Sequence, residues 1–312
     1  MTLPFSNDPL LVPVFFVVAF LLLASLVVFL LKLLKPQADL TEVKLRIRSW
    51  WLIAGVFFVA VLLSRRVAMA FWAVVCFWAL KEFFSMVPGR MVDRWAIALA
   101  YLSIPVQFFF IDIRWYGMFI IFLPVYLFLA VPFLLMLTGD PKGFVVSASR
   151  IHWGLMTFVF GLSHAAYLLA LPPLPGFVAG PRGLLLFLVL LTELNDVFQF
   201  VSGKTFGRHR ITPVISPKKT WEGFLGGVLL TTPLAALLRF LTPFTLGEAL
   251  LAGALIACVG FIGDVVVSAV KRDVGVKDSS SAIPGHGGVL DRIDSLCYTA
   301  PIFFHYIYYL HY

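Results

Sequence analysis

The chain alternates long apolar runs with short polar segments. A helix needs roughly 17 to 25 apolar residues to cross the hydrocarbon core of a bilayer, and the runs reach or approach that length. We therefore predict an all-α fold, a polytopic membrane helix bundle of about ten transmembrane helices that forms a single membrane domain over residues 1–312. The predicted spans are 10–34, 50–64, 67–80, 95–111, 115–137, 153–171, 183–201, 223–240, 248–270 and 296–310.

Composition supports a membrane protein and excludes a soluble domain. Hydrophobic residues make up 61% of the chain and charged residues only 13%, against about 25% charged residues in soluble domains. The first apolar run is too long for a cleavable signal and follows Asp8 rather than basic residues, so we expect a membrane anchor. The three cysteines are scattered through apolar runs, which argues against a disulfide framework and a thiolate metal site.

Basic residues concentrate in alternate loops. Nineteen of the 24 Lys and Arg residues lie in five loops that share one side of the membrane. The positive-inside rule places that side in the cytosol, and ten spans then leave both termini outside. The net charge of +8 suits anionic lipid headgroups or a phosphorylated substrate, although orientation alone also explains the first three loops. The five loops are 32–49, 81–94, 138–152, 202–222 and 271–295.

Several polar and ionisable residues interrupt the apolar runs. Glu193, Asn195 and Asp196 lie in the middle of one predicted span, and Asp264 lies near the end of another. Charges at such depths are costly and normally face the interior of a bundle or a water-filled cavity. We therefore predict a polar cavity that faces the cytosol; ion pairs that only pack helices together are the alternative.

Helical spacing groups the acidic residues with other polar side chains. Asp264, Ser268 and Lys271 follow one another at i, i+4 and i+7, so they share one face of a helix. Asp291 and Asp294 are three residues apart and also share a face. Carboxylate oxygens suit a hard divalent ion such as Mg²⁺, whereas zinc sites usually contain cysteine or histidine.

Cations and glycines near these acids predict phosphate binding. Lys and Arg side chains clamp phosphates, and glycines let backbone N–H groups approach an anion closely. His286 lies between glycines, and we predict that it contacts a phosphate; a general acid and a turn constraint are the alternatives. The residues in question are Ser216, Lys218, Lys219, Lys271, Arg272, Lys277, Arg292, Gly285, Gly287 and Gly288.

Two segments resemble a known enzyme family. The run SAVKRDVGVKDSSSAIPGHGGVLDRID resembles the hallmark motif of the CDP-diacylglycerol synthases, also called phosphatidate cytidylyltransferases. The stretch NDVFQFVSGKTFGRHRITPVISPKKTWEGFLGG is similar to a second block of that family. Together they define a catalytic region of about residues 195–295. The resemblance implies that CTP and phosphatidic acid are joined to give CDP-diacylglycerol and pyrophosphate, with Mg²⁺ required.

The resemblance also implies roles for individual residues. Metal binding falls to Asp264 and Asp291, with Asp294 and Asp196 beside them. The residue chemistry and the resemblance together predict a catalytic set of Asp264, Lys277, His286, Asp291, Arg292 and Asp294. They predict a substrate-binding set of Ser216, Lys218, Lys219, Ser268, Lys271, Arg272, Gly287 and Gly288.

Membrane lipids are expected partners and nucleic acid is not. We expect the inner membrane of a bacterium, with the active site facing the cytosol. A monovalent ion beside Mg²⁺ and assembly into a homodimer are compatible with the residues.

One departure from the family's pattern bears on the acceptor. Many members carry Ala-Tyr where this chain has Gln199 and Phe200, which replaces a small residue with one that forms hydrogen bonds. A cytidylyltransferase or a CTP-dependent kinase acting on a different lipid is therefore an alternative. A transporter would also place acids inside a bundle but would not need the polar run near the carboxyl end. A catalytically silent scaffold would not need the intact acids.

Overall fold

The computed structural model describes residues 8–37 and 39–312. In the amino-terminal part, α5 and α6, and likewise α7 and α8, are continuous through π-helical segments, 122–127 and 155–161. A short 3₁₀ turn at Met91–Asp93 leads into α4. The helices are α1 (Leu11–Leu34), α2 (Thr41–Leu63), α3 (Arg65–Met86), α4 (Arg94–Asp112), α5 (Tyr116–Ile121), α6 (Phe128–Met136), α7 (Phe144–Gly154) and α8 (Leu162–Leu168).

The carboxyl-terminal part contains three long helices and a small β-hairpin. The hairpin is antiparallel and lies between α9 and α10. A 3₁₀ turn at Leu238–Leu241 follows α10. The elements are α9 (Gly180–Phe206), β1 (Arg210–Thr212), β2 (Ser216–Thr220), α10 (Trp221–Leu237), α11 (Leu246–Asp273), α12 (Leu290–Ile293) and α13 (Leu296–His311).

The helices confirm the predicted all-α membrane fold. Among the described residues, nine helical stretches are long and apolar enough to cross a bilayer, so the protein is an integral membrane protein. The tenth predicted span corresponds to α13, whose 16 residues reach roughly 24 Å at 1.5 Å per residue. Helix α2 begins at Thr41, before the predicted span 50–64, because its polar first turns need no hydrocarbon around them.

Local capping residues fix where several helices begin. The hydroxyl of Ser64 accepts a hydrogen bond from the Val67 N–H at the start of α3. Thr220 does the same for Gly223 at the start of α10. These contacts satisfy N–H groups that a helix leaves unpaired at its amino end. The Thr220 cap therefore fixes the point at which β2 turns into α10.

Glycines allow α9 and α10 to cross closely. A Cβ atom at Gly226 would lie 2.3 Å from Ser202 Oγ, and one at Gly227 would lie 2.4 Å from Gln199 Cγ. Only glycine leaves room for such an approach, as is common between membrane helices. The crossing brings the polar side of α9 directly against α10 and the hairpin.

The five basic loops lie together at one end of the bundle, here called the basic end. Hydrogen bonds join each of these loops to another one. The joining bonds are Ser49 Oγ to the Pro284 carbonyl, Ser280 Oγ to Glu82, Arg90 to the Asp140 carbonyl and Arg272 to the Ile215 carbonyl. At the opposite end, Arg65 pairs with Asp112 and Arg182 donates to the Leu62 carbonyl.

Candidate active site

The predicted polar residues meet where four segments converge at the basic end. These segments are the carboxyl-terminal half of α9, strand β2, the last turns of α11 and the corner between α12 and α13. Strand β2 contacts α9, α10 and α11, and α11 packs against both α9 and α13. Residues far apart in sequence are thereby brought into one site.

The first charged pair joins β2 to α11. Lys219 Nζ lies 2.5 Å from Asp264 Oδ2, and both side chains are about one-fifth exposed. Ser268 Oγ donates to Asp264 Oδ1 at 3.2 Å, which confirms that these two residues share a helix face. Burial opposes the charge of Lys219, but the nearby carboxylates of Asp264, Asp196 and Asp294 outweigh it and raise the Lys219 pKa. The lysine therefore stays charged.

The second charged pair joins α11 to the corner after α12. Lys271 Nζ donates to Asp291 Oδ1 at 2.8 Å and lies 3.8 Å from Asp294 Oδ2. All three side chains are nearly buried. The predicted common face of Asp291 and Asp294 is thus confirmed, because one ammonium group contacts both. A charge buried this deeply is costly unless it is paired or binds a ligand.

The pKa values of Asp291 and Asp294 are shifted in opposite directions. Burial would raise the pKa of Asp291, but the Lys271 ammonium and hydrogen bonds from Gly288 and Ser279 outweigh it and lower the pKa. Burial and the nearby charge of Asp264 raise the pKa of Asp294 well above its ordinary value, and Lys271 only partly offsets them. Opposite shifts in neighbouring acids are typical of functional sites.

Asp196 completes the group of acids. Its Oδ2 accepts a hydrogen bond from Ser295 Oγ at 2.9 Å, whereas its buried Oδ1 has no partner among the described residues. An unpaired buried carboxylate oxygen is expensive. It is therefore a natural place for a ligand to bind.

The acids have the chemistry to bind a hard cation, but they are not arranged as a complete metal site. Within residues 8–37 and 39–312, no three acidic, histidine or cysteine side chains are arranged as a metal site. Asp264 and Asp291 instead face Lys219 and Lys271. All the acidic side chains offer oxygen atoms, which are the ligands that Mg²⁺ prefers. Asp196 Oδ1 has no hydrogen-bond partner among the described residues. The metal roles of Asp264, Asp291, Asp294 and Asp196 stay predictions.

Glycines shape the loop before α12. Gly287 has a φ of +80°, and a Cβ there would lie 2.6 Å from Asp291 Oδ2. The N–H of Gly288 donates to the same oxygen at 2.9 Å. The glycines thus bring the backbone onto Asp291, so the contact that the structure gives them is to this carboxylate.

His286 lies on the outer side of the same loop. Its ring meets Trp50 edge to face at 5.9 Å, and its Nδ1 is buried without a partner. Burial, together with the charges of Arg292 and Arg46, lowers the pKa of His286. The imidazole is therefore mainly neutral at pH 7 and retains one N–H donor.

Other predicted residues lie farther from the two pairs. Lys218 and Lys277 are exposed and contact no acid among the described residues. Arg272 donates to the carbonyls of Ile215 and Val276, so it ties the hairpin to the loop after α11. The Nε of Arg292 is buried without a partner. Ser216 opens β2 and is half-buried. The substrate roles of these residues stay predictions.

Gln199 lies beside the first pair. Its Oε1 accepts from Lys219 Nζ at 3.2 Å, and its Nε2 is buried without a partner. An ammonium group can only donate, so the amide oxygen must face Lys219 and the NH₂ group must point away. The residue that departs from the family's pattern therefore contacts a predicted substrate-binding lysine.

The sequence interpretation missed Glu82, near the end of α3. This nearly buried carboxylate contacts the loop before α12 and the start of that helix. Its only signal in the sequence is an acid two residues after the predicted span 67–80. No neighbouring residue indicates a contact with residues 279–290. It accepts hydrogen bonds from Ser279 Oγ, Ser280 Oγ, Val289 N and Leu290 N at 2.9, 2.8, 3.1 and 2.8 Å.

The helical membrane fold thus holds a group of buried acids and lysines at its basic end. Residues 44–310 match the model of the cytidylyltransferase family. The chain belongs to that family and is a nucleotidyltransferase.

Individual relatives differ in how much of the chain they cover. The chain is 44% identical over 293 residues to "Uncharacterized protein YnbB" of Escherichia coli, which covers 93% of this chain and 96% of that protein. It is 41% identical over 132 residues to the phosphatidate cytidylyltransferase of Haemophilus influenzae and 43% identical over 120 residues to that of Aquifex aeolicus. These two matches cover 40% and 38% of this chain, and 46% and 45% of those enzymes, so the chain spans less than half of their length.

Proposed function

We propose that the protein is a phosphatidate cytidylyltransferase, which transfers CMP from CTP to phosphatidic acid in phospholipid biosynthesis. The observation that carries the proposal is the meeting of the Lys219–Asp264 and Lys271–Asp291 pairs at the basic end of the bundle. Membership of the cytidylyltransferase family supports the nucleotide, and the two relatives named phosphatidate cytidylyltransferase support the lipid.

The proposed reaction needs positioning rather than a protein nucleophile. An oxygen of the lipid phosphate attacks the α-phosphorus of CTP, the bond between this phosphorus and the oxygen leading to the β-phosphate breaks, and pyrophosphate leaves. The phosphate monoester has a second pKa of about 6, so it is mostly dianionic near neutral pH and needs no general base. The protein has to align the two phosphates and offset their repulsion.

Each group of residues has a proposed part in that task. Lys219 and Lys271 donate to phosphate oxygens, and neutral His286 offers a further N–H donor. Exposed Lys218 and Lys277 attract the nucleotide. Asp264 and Asp291, with Asp294 and Asp196, would hold Mg²⁺, which supplies positive charge beside the phosphates when bound.

The proposed orientation follows from charge. The basic end faces the cytosol of a bacterium across its inner membrane, as the positive-inside rule favours. CTP then reaches the site from the water, whereas the lipid phosphate reaches it from the adjacent headgroup layer.

The experiment uses purified protein in detergent with phosphatidic acid, Mg²⁺ and CTP labelled at the α-phosphate. We expect a labelled, lipid-soluble cytidine product and release of pyrophosphate. Chelation with EDTA should stop the reaction, and added Mg²⁺ should restore it. Release of CDP with a phosphorylated lipid would instead identify a CTP-dependent kinase. If neither product forms while a reference enzyme is active in parallel, the proposal is contradicted.

A second candidate is cytidylyl transfer to a different lipid phosphate. The contact between Gln199 and Lys219 favours it, because it places the residue that departs from the family's pattern against a lysine of the predicted phosphate site. The full-length relative, YnbB, carries no substrate in its name, whereas the named phosphatidate enzymes match less than half of their length. A panel of lipid phosphate monoesters with different headgroups and acyl chains, supplied one at a time, separates the two candidates by the ratio of kcat/KM values.

A further inference from the structure

We infer that Glu82 is a positioning residue for the proposed reaction: through its four hydrogen bonds it holds Asp291 ready for its ligand. Both carboxylate oxygens of Glu82 are in use, each with one serine hydroxyl and one backbone N–H. The side chain is only 5% exposed. A buried carboxylate with this many donors is fixed in one orientation.

Glu82 acts on the loop before α12 from outside that loop. Helix α12 has four residues, and no side chain of its own caps its start. The N–H groups of Val289 and Leu290, at the start of α12, donate to Glu82 instead. Glu82 therefore caps, from α3, the turn that carries Asp291.

Ser279 links Glu82 directly to Asp291. Its hydroxyl lies 2.9 Å from both Glu82 Oε2 and Asp291 Oδ2 and can donate its one proton to either oxygen. The N–H groups of Ser279 and Gly288 also donate to Asp291 Oδ2. Asp291 Oδ2 is thus occupied by the loop, and Oδ1 is left to face Lys271 and the site. Loosening the loop would free Asp291 to rotate.

The contact leaves no room for a side chain at Gly288. A Cβ atom at Gly288 would lie 2.1 Å from Ser279 Oγ and 2.4 Å from Glu82 Oε2. The serine, the glycine and the carboxylate therefore interlock, and the amino-terminal helix α3 becomes part of the support of the site.

The test compares Glu82→Gln with Glu248→Gln. An amide offers one NH₂ group in place of a carboxylate oxygen, and this group cannot accept from a backbone N–H, so Glu82→Gln loses a cap contact. Glu248 is the matched control, because it caps α11 through Thr245, far from the acids. Hydrogen–deuterium exchange of residues 276–290 is measured in detergent without substrate. The kcat and the KM for CTP are measured on the same preparations.

We expect Glu82→Gln to speed exchange in 276–290 and to lower kcat about 10- to 100-fold, as for residues that support a ligand from behind. Glu248→Gln should leave both quantities unchanged. Ser280→Ala removes one of the four hydrogen bonds and should cause a smaller change in the same direction. Adding it to Glu82→Gln should have little further effect, because the two changes remove the same contact.

The inference is overturned if Glu82→Gln keeps the wild-type exchange in 276–290 or the wild-type kcat, or if exchange rises equally in all helices. Because the kinetic part rests on the proposed function, exchange gives an independent readout. If the wild-type protein forms no lipid product, the proposed function fails, and exchange in the loop still decides whether Glu82 holds it.

Discussion

Ion pairs at the two ends of the bundle differ in burial and in what they connect. At the end away from the basic loops, Arg65 pairs with Asp112, and their side chains are 29% and 38% exposed. This pair joins the start of α3 to the end of α4. At the basic end, Lys271 pairs with Asp291, and their side chains are 9% and 5% exposed.

The difference in burial changes what each pair can do. Exposed pairs contribute about 0–1 kcal/mol because water screens them. A buried pair gains little in net stability over apolar residues, yet loses about 3–5 kcal/mol when one partner is removed. The buried pairs of the basic end therefore add little net stability over apolar residues, which supports their proposed role in binding ligands. The Arg65–Asp112 pair needs no explanation beyond joining two helices.

The largest expected effect separates Asp291 from Asp112. Asp291→Asn should lower kcat about 100- to 1,000-fold, the loss typical of removing one electrostatic contact to the reacting groups. Asp112→Asn should leave kcat within about twofold, because its pair stabilises only a helix junction. Initial rates of CDP-lipid formation measure both. Equal losses in the two variants would show that the comparison between the ends is mistaken.

An intermediate effect is expected when the two buried glutamines are compared. Gln199→Ala should raise the KM for the lipid phosphate about 10-fold, because it removes the acceptor that orients Lys219, and a hydrogen bond to a charged group contributes about 1.5 kcal/mol or more. Gln107 is equally buried but donates to the Phe119 carbonyl within the amino-terminal helices.

Gln107→Ala is therefore the control for this prediction. It should lower the unfolding temperature in detergent while leaving the KM unchanged. The KM is measured over a full range of lipid concentrations at fixed CTP. A wild-type KM in Gln199→Ala would show that Gln199 does not contribute to binding of the lipid phosphate.

The smallest expected effect concerns the partly exposed pair of Arg65 and Asp112. Arg65→Gln should reduce the free energy of unfolding by about 1 kcal/mol or less, and the reduction should shrink as salt screens the pair in the wild type. Thermal unfolding in detergent at low and high ionic strength measures it. A loss that is large and independent of salt would mean that this pair is as isolated from water as Lys271–Asp291.

Much of the fold was predictable because its signals are local. The length of an apolar run determines whether it can span a bilayer, and nine of the predicted spans correspond to helices long enough to do so. The placement of Asp264 with Ser268, and of Asp291 with Asp294, follows from helical spacing, and the structure confirms both. The predicted spans begin later than α2 and α7 do, because polar residues near the start of each helix, such as Arg46 in α2 and Arg150 in α7, interrupt the apolar pattern.

Pairings between distant segments were not predictable in the same way. Lys218 and Lys219 are neighbours in β2, and their side chains point to opposite sides of the strand. The sequence does not show which side faces α11, but the structure places Lys219 against Asp264. Arg272 donates to two backbone carbonyls, one of them in the hairpin, and its neighbours in sequence do not indicate that contact. Glu82 was not identified at all, since its partners lie about two hundred residues further along the chain.

The sequence by itself determined the helices, their basic end and the set of acids and cations available there, since hydrophobicity, charge and helical period are properties of neighbouring residues. Only the tertiary structure decided which lysine faces which aspartate, that Gln199 contacts Lys219, and that a carboxylate of α3 supports Asp291. Those choices depend on how closely separate helices pack, which is set by side-chain shape and by small residues such as Gly226 and Gly227 at the crossing of α9 and α10.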